Sequence, residues 1–315
     1  MFDLVEAKQD ADGFWTGWMP EGLTDTQYHS DFKMVHPTFS VSRAKYMVSD
    51  EKTPFHLRAG LDGIRAAPTA DMEEGTIRHA ILTGREDQEL VILDNVRKKD
   101  GDLATSFQAA EAKAIKASAL RAGKIALFRS QYEFHKARAE SLRAWLLTEY
   151  GIDPATCLME RALYWVDRAK DGTKVQCKMK LDMAERDPFW TVVDLKNPVS
   201  GSLVTFQKAM VRLGYDLQMY AYPRAIQMVQ GLDYRPDFKV INWERSAAAP
   251  ASMITSSENV LFGGGVKWHV ALNRFVRCLA SNSWPAFHPS GAFVEVDYRP
   301  WDWKEIERLQ RELDL

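Results

Sequence analysis

Hydrophobic and polar positions alternate strictly along residues 175–181, where every odd-numbered residue is apolar and every even-numbered one is polar. This two-residue period predicts a β-strand. Residues 190–193 form a short β-branched and aromatic run, which is typical of an interior strand. Asp187 and Pro188 lie between the two stretches and are a turn signal. The pattern therefore predicts a hairpin in the middle of the chain.

Longer apolar periods predict helices on both sides of this β-rich centre, which extends over residues 160–196. Residues 71–82 and 103–149 fit a helical period, the second with a break at Gly123. Ser202 can cap a further helix, which Pro223 is expected to end or kink. Residues 238–243 fit another strand and residues 268–281 another helix, and the glycines at 263–265 are expected to form a flexible joint. The predicted fold class is therefore α/β or α+β.

Composition is that of an ordinary globular protein of 315 residues, with 46% hydrophobic and 27% charged residues. No apolar run approaches the roughly 18 residues that a membrane span needs, and the N-terminus lacks the pattern of a signal peptide. The three cysteines are far apart and odd in number. They favour reduced thiols in a cytoplasm and argue against an iron–sulfur cluster, which needs four such ligands.

The net charge of −2 indicates no overall affinity for nucleic acid, but the charges are unevenly distributed. Residues 97–143 contain eleven Lys or Arg and five acids. Two interpretations of this basic stretch stay open, a solvated helical face and a surface that follows phosphates. The basic residues that fall on predicted helices include Lys113, Lys116, Lys124 and Arg138.

Two carboxylates and a lysine are the candidate chemistry of the predicted hairpin. Asp182 ends the alternating strand, and Asp194 and Lys196 share one face at the end of the apolar strand. An acid two residues before a lysine occurs seven times in the chain, but only Asp194 follows a strongly apolar strand with another acid one hairpin upstream. The convergence predicts a hard-cation site that can bind Mg²⁺ and act on phosphate esters. The alternative is a surface ion pair.

Several motifs, taken in order, resemble the PD-(D/E)xK nuclease superfamily and within it the RecE-type (exonuclease VIII-like) phage exonucleases. Residues 177–197 resemble the active-site hairpin of that family, and Tyr215, Gln218 and Tyr222 resemble the polar face of its next helix. Asn197 stands where a threonine is more usual, and position 194 carries Asp rather than Glu. Four further segments resemble family motifs: residues 38–42 (TFSVS), 75–82 (GTIRHAIL), 160–165 (ERALYW) and 283–285 (SWP).

The resemblance implies a restriction-endonuclease-like core with a central mixed β-sheet flanked by helices. Residues 37–315 would form this single domain, with a helical insertion at about residues 97–150. Residues 1–36 would be an irregular N-terminal segment.

The resemblance also implies a metal site. Asp182 and Asp194 would bind Mg²⁺ together with the backbone carbonyl of Leu195, and Mn²⁺ would be accepted. His79 would be a further metal ligand, since Gly75 on the same helical face permits close approach. The alternative for His79 is a structural histidine.

The same resemblance assigns the remaining catalytic residues. Lys196 would orient or deprotonate the attacking water and stabilise the pentavalent phosphate. Glu160 would bind the metal or its water, although a glutamate at a strand end is usually a surface residue. Gln218 and Tyr222 would contact phosphates, or would form hydrogen bonds at the edge of the core.

The function that the resemblance implies is a Mg²⁺-dependent exonuclease of phage or prophage origin in a bacterial cytoplasm. It would degrade linear double-stranded DNA from 5′ to 3′ and leave a 3′ single strand for an annealing protein of the RecT type. It would act as a ring-shaped homo-oligomer and would not bind a membrane. The alternatives are an endonuclease or structure-specific nuclease with the same site, and a DNA-end-binding protein with an inactive site.

Overall fold

The computed structural model describes residues 3–23, 25–31, 34–64, 69–98, 101–246 and 248–313. The strands in these ranges are β1 (Lys8–Gln9), β2 (Trp15–Trp18), β3 (Thr38–Phe39), β4 (Leu90–Leu93), β5 (Ile125–Phe128), β6 (Leu158–Met159), β7 (Ala162–Arg168), β8 (Lys174–Lys180), β9 (Met183–Glu185), β10 (Thr191–Lys196), β11 (Asp237–Trp243) and β12 (Ala251–Thr255). The helices are α1 (Asp25–His29), α2 (Val41–Val48), α3 (Pro54–Leu61), α4 (Ala70–Thr83), α5 (Glu86–Glu89), α6 (Ala110–Arg121), α7 (Arg129–Tyr150), α8 (Leu203–Leu213), α9 (Tyr215–Gln230), α10 (Glu258–Ser281) and α11 (Pro300–Leu313).

Two five-stranded sheets lie at the centre of the fold. The first has the strand order β1-β2-β7-β8-β3, and the second has the order β12-β11-β10-β9-β6. The pairs β3–β8 and β10–β11 are parallel, whereas pairs such as β7–β8 and β11–β12 are antiparallel. Mixed sheets flanked by helices confirm the predicted α+β class.

The two strands of the predicted hairpin lie in different sheets. β8 pairs with β7 in the first sheet, while β10 is an interior strand of the second sheet between β9 and β11. The chain passes between the sheets at residues 181–182, and the hairpin partner of β10 is the short β9. Both faces of β8 are buried, since Gln176 is 1% and Lys178 is 3% exposed.

The second sheet is covered by helices on both faces because its interior strands are apolar on both. Val192 packs into the core that includes α9 and α10, whereas Val193 and Leu195 pack into the core that includes α4 and α7. Because side chains alternate along a strand, Asp194 faces the same side as Val192. This register directs Asp194 towards α9.

The glycines at 263–265 lie inside a continuous helix, so the expected flexible joint is wrong. A Cβ on Gly264 would lie 2.2 Å from the backbone oxygen of Asp216, and one on Gly265 would lie 2.8 Å from the ring of Tyr220. The glycines therefore allow α10 to pack closely on α9. Helix α9 also continues through Pro223 to Gln230, so the helix does not end at the proline.

The region after α5 contains a strand that the helical pattern misses. Residues 90–93 and 125–128 form a parallel two-stranded sheet of β4 and β5, and α6 and α7 lie before and after β5. Gly123 does end the first helical stretch, as predicted. A four-residue apolar run is too short for its period to distinguish a strand from part of a helix.

Residues before position 37, expected to be irregular, contribute β1 and β2 to the first sheet, where Gly17 pairs with Tyr164. Trp18 is fully buried and stacks on Trp190 with ring centroids 5.6 Å apart. This contact packs the two sheets against each other. Within the described ranges, no helix combines the length and the apolarity needed to cross a membrane.

Candidate active site

The site forms where the chain crosses twice between the two sheets. Asp182 lies between β8 of the first sheet and β9 of the second, and Glu160 lies between β6 of the second and β7 of the first. The Glu160 amide donates a hydrogen bond to the backbone oxygen of Asp182 at 3.0 Å. Glu160 has a backbone φ of 51°, a value that residues other than glycine seldom adopt. The paired crossings therefore place the two carboxylates side by side.

His79 on α4 bridges these two carboxylates. Its Nδ1 lies 2.8 Å from Glu160 Oε1, and its Nε2 lies 3.1 Å from Asp182 Oδ1. Burial lowers the pKa of His79, but the two carboxylates outweigh burial and raise the pKa well above its usual value. The two carboxylates therefore favour the doubly protonated imidazole when no metal is bound, and a metal ion would have to replace the proton on the nitrogen that it binds.

Asp182 is held by the strand that carries the other acid. Its Oδ2 accepts a hydrogen bond from the backbone N–H of Leu195 at 2.7 Å. Burial raises the pKa of Asp182, but His79, Lys196 and this amide together lower it to about 2. Leu195 therefore contributes its N–H to the site, and the metal-binding role of its carbonyl stays a prediction.

Asp194 and Lys196 project from the end of β10 towards α9. Lys196 Nζ lies 2.5 Å from Asp194 Oδ2 and 4.6 Å from the ring centre of Tyr215. Gln218 Nε2 donates to Asp194 Oδ1 at 3.3 Å and lies 3.5 Å from the hydroxyl of Tyr222. The polar stripe of α9 thus faces the acid–lysine pair.

The two members of this pair are electrostatically coupled to Asp182. Burial raises the pKa of Asp194 to about 6, since Lys196 offsets burial only in part and the charge of Asp182 raises the pKa further. Burial would lower the pKa of Lys196, but Asp194 and Asp182 outweigh it and raise that pKa above its ordinary value. Two acids and one ammonium thus share a buried space with a net negative charge, which attracts a divalent cation.

The donor set fits a divalent cation. One ligand atom each from His79, Glu160 and Asp182 lies within 4.8 Å of the others. Glu160 Oε1 and Asp194 Oδ2 are buried, and each is paired with one cationic group, His79 at 2.8 Å and Lys196 at 2.5 Å. A carboxylate oxygen that is paired once keeps a further lone pair. Carboxylate oxygens with unused lone pairs are the ligands that Mg²⁺ and Mn²⁺ prefer.

A cleft of about 490 Å³ joins the predicted residues. The sequence-predicted residues that line it are His79, Glu160, Asp182, Asp194, Leu195, Lys196, Gln218 and Tyr222. Gly75, Ser42 and Asn197 also line this cleft. The alternating strand, the apolar strand and two separate helices therefore deliver their polar residues to one place.

Two cations beside Glu160 are absent from the sequence-based set. Lys180 Nζ lies 2.5 Å and Arg85 Nη1 2.8 Å from Glu160 Oε2. Lys180 precedes Asp182 by two residues on the alternating strand, and this spacing could have indicated it. Arg85 follows the helix end at Gly84, and its sequence context carries no comparable signal.

Fewer cations of the basic stretch, residues 97–143, are available for an exposed surface than the sequence suggests. Arg138 donates to the backbone oxygen of Glu244 at 3.0 Å, and Arg143 donates to that of Leu82 at 2.9 Å. Lys124 donates to the backbone oxygen of Asp87 at 2.7 Å. These three cations link structural elements, whereas Lys113 and Lys116 are exposed on α6.

Arg78 is a third residue that is absent from the sequence-based set. It precedes His79 on α4 and is 0% exposed. Its guanidinium donates to the backbone oxygens of Glu244 at 3.2 Å and Arg245 at 3.1 Å, and it lies 5.1 Å from the ring centre of Trp243. Arg78 therefore anchors α4 to the end of β11, beside the strand that carries Asp194.

Arg78→Lys is expected to lower the free energy of unfolding by about 3 kcal/mol, because a lysine cannot serve both carbonyls and each charged hydrogen bond contributes roughly 1.5–3 kcal/mol. Urea titration measures the loss. The matched control is Arg58→Lys, at an exposed arginine of α3 that pairs with Asp62 at the end of the helix, where a change below about 0.5 kcal/mol is expected. Equal stability of the two variants would contradict an anchoring role for Arg78.

Comparison with known proteins identifies the family to which the chain belongs. The family model of a PDDEXK-like domain of unknown function (DUF3799) matches residues 40–292. The crystal structure of a candidate exonuclease from Eubacterium rectale superimposes with a TM-score of 0.52 at 13% identity, covering 90% of this chain and 96% of that chain. At this identity the similarity shows a shared fold alone.

A second solved structure, of the protein SSO0001, matches with a TM-score of 0.27 at 10% identity, covering 65% of this chain and 86% of that chain. This score is too low to indicate a shared fold. No curated protein matches the chain.

Proposed function

Because the chain belongs to the family of PDDEXK-like domains, we propose that it is a metal-dependent nuclease that hydrolyses DNA phosphodiester bonds. The observation that carries the proposal is the meeting of Asp182, Asp194 and Lys196 with His79 and Glu160 in one cleft. The family match confirms the resemblance to PD-(D/E)xK nucleases, while the narrower RecE-type resemblance stays a prediction.

The metal ion would be bound by Asp182, Asp194 and His79, with the carbonyl of Leu195 as a further oxygen ligand. When bound, it would polarise a phosphate oxygen and lower the pKa of a coordinated water. The oxygen-rich set favours Mg²⁺, and the one nitrogen ligand makes Mn²⁺ acceptable as well. Glu160 lies against His79 and would bind the metal or orient its water.

The remaining residues of the cleft would act on the water and the phosphate. Lys196 would orient the attacking water and stabilise negative charge on the phosphate as the ammonium ion, which its raised pKa favours. Deprotonation of the water by Lys196 would instead require the neutral amine. Gln218 positions Asp194 through Nε2, and its buried Oε1 accepts no hydrogen bond from the described residues. That oxygen is free to accept one from the water. Tyr222 would contact a neighbouring phosphate.

The finer activity that we propose is 5′-to-3′ degradation of linear double-stranded DNA with Mg²⁺, in the cytoplasm of a bacterium that carries a phage or prophage. The motif order of the RecE-type exonucleases supports it. The same resemblance supports a ring-shaped homo-oligomer and an annealing partner of the RecT type.

Digestion of linear duplexes labelled at either the 5′ or the 3′ end tests this activity. Mononucleotides released from the 5′ label first, only with Mg²⁺ or Mn²⁺, are the expected result. Cleavage of a nicked circle without free ends would instead assign a structure-specific or endonucleolytic activity. Binding of DNA ends without any hydrolysis would assign an inactive end-binding protein.

Neutralising the exposed lysines of α6 tests the DNA surface. Lys113→Gln with Lys116→Gln should weaken duplex binding equally for all sequences and lower the slope of log affinity against log salt by about 0.9 for each phosphate that the variant no longer neutralises. Fluorescence anisotropy in EDTA measures binding without cleavage. The control pair is Lys8→Gln with Lys170→Gln, two exposed lysines outside the basic stretch. An unchanged slope in the α6 variant would identify its lysines as solvated charges.

A further inference from the structure

Lys45 on α2 is a largely buried lysine that no acid contacts. Its ammonium makes no ion pair or hydrogen bond with the residues that the structure describes. Burial and the nearby charge of Lys196 lower the pKa of Lys45 to about 8, because Asp194 and Asp216 offset them only in part. A cation that loses water without gaining a partner raises the free energy of the folded protein. The charge of Lys45 therefore has no structural benefit, and its ammonium is available to an anionic ligand.

Two further cations lie around the same pocket. Arg212 near the end of α8 and Lys267 on α10 line this pocket together with Lys45, and we name the three residues the Lys45 cluster. The acid in the wall, Asp216, is already paired with Lys267 at 2.6 Å. Arg212 is exposed and has no partner in the described part of the chain. The pocket has a volume of about 20 Å³, which is enough for one oxygen atom of a ligand.

The Lys45 cluster adjoins the catalytic cleft. Ser42 lines the cleft and lies about one helical turn before Lys45, on the same face of α2. The aliphatic stem of Lys45 packs on Gly214, where an added Cβ would lie 3.0 Å from Lys45 Cγ. The next residue, Tyr215, has its ring centre 4.6 Å from Lys196 Nζ. A nucleic-acid strand bound at Lys196 therefore has a short path past Tyr215 to the cluster.

We propose that Lys45, with Arg212 and Lys267 beside it, binds a backbone phosphate of the DNA strand where this strand leaves the catalytic cleft past Tyr215. The inference rests on the proposed nuclease function for the identity of the anion. It adds the path of the strand, which runs between α2 and α10 on leaving the cleft. Phosphates occur in every sequence, so this contact positions the strand and reads no bases.

Lys45→Met tests the role of the charge, because methionine keeps the apolar stem over Gly214 and removes the ammonium. The variant should bind linear duplex more weakly than the wild type. Since the lost charge is desolvated and unpaired, the variant without DNA should melt at the same temperature as the wild type or at a higher one. A lower melting temperature with unchanged DNA affinity would identify a structural lysine and overturn the proposal.

The salt dependence of binding tests the contact with phosphate. In EDTA, where binding is measured without cleavage, Lys45→Met and Arg212→Gln should each lower the slope of log affinity against log salt by about 0.9. The control is Lys170→Gln, at an exposed lysine in the turn between β7 and β8, which should leave the slope unchanged. An unchanged slope in either cluster variant would overturn this inference and leave the nuclease function intact. A wild type that binds no duplex would overturn both.

Neutral methylphosphonate linkages locate the phosphate. Hairpin duplexes with a single open end carry one such linkage at successive positions of one strand, and fluorescence anisotropy in EDTA measures their binding. One position should weaken binding to the wild type and to Lys170→Gln but have no effect on Lys45→Met, which has already lost that contact. A scan without such a position, or one in which Lys45→Met responds like the wild type at every position, would overturn the proposal.

Discussion

Lys196→Ala should reduce DNA cleavage at saturating Mg²⁺ by on the order of 10²-fold or more. The ammonium lies 2.5 Å from Asp194, between that acid and the ring of Tyr215. Removing it takes away the charge that would orient the water and stabilise the phosphate. Asp182→Ala and Asp194→Ala should also abolish cleavage, since each removes a metal ligand. Initial rates on end-labelled linear duplex measure the effect.

The chain contains a matched control for Lys196. Asp237 and Lys239 have the same acid–lysine spacing and lie on β11, which pairs in parallel with β10. Lys239 pairs with Val193, away from the end of β10 that carries Lys196. Lys239→Ala should therefore leave the rate unchanged. A Lys196→Ala protein that cleaves at the rate of the Lys239→Ala protein would remove Lys196 from the catalytic set.

His79→Ala should raise the Mg²⁺ concentration for half-maximal rate by about 10-fold or more, because even the loss of an outer partner of a metal ligand costs 10–100-fold in affinity. His79 touches both Glu160 and Asp182, so its removal also leaves two adjacent carboxylates without their shared cation. Excess Mg²⁺ or Mn²⁺ should restore part of the rate. His79→Asp, which restores an oxygen ligand, should retain more activity than the alanine variant.

Metal binding measured without DNA separates this role from a structural one. Calorimetric titration with Mn²⁺ should show weaker binding to His79→Ala than to the wild type, and the metal-free variant should also melt at a lower temperature. A lower melting temperature with unchanged Mn²⁺ affinity would identify His79 as a structural residue. Ile81→Val, at a buried core position of the same helix that does not line the cleft, is the control for changes in α4.

The sequence contains the strands that carry the acids and the helix that carries the histidine. The period of two along residues 175–181 and the apolar run at 190–193 depend on local preference and on burial, and both appear as β8 and β10. The predicted cap at Ser202 is local as well, because its side chain accepts a hydrogen bond from the Thr205 amide within the first helical turn. The order of the motifs predicted the PD-(D/E)xK family.

Local pattern could not show that β8 and β10 belong to different sheets. A period of two places side chains on opposite faces of a strand but says nothing of its neighbour, which is chosen by pairing and packing over long distances in the chain. The glycines at 263–265 show the same limit. Their sequence resembles a joint, and only the close approach of Asp216 and Tyr220 explains why α10 needs residues without side chains at positions 264 and 265.

The sequence by itself determined which residue types stand at the ends of buried strands, and hence Asp182, Asp194 and Lys196 as one candidate site. Only the tertiary structure decided that Glu160 lies beside Asp182, that His79 bridges them, and that Lys180 and Arg85 pair with Glu160. The physical reason is that hydrophobic periodicity reports burial within one element, whereas these contacts depend on two chain crossings between packed sheets.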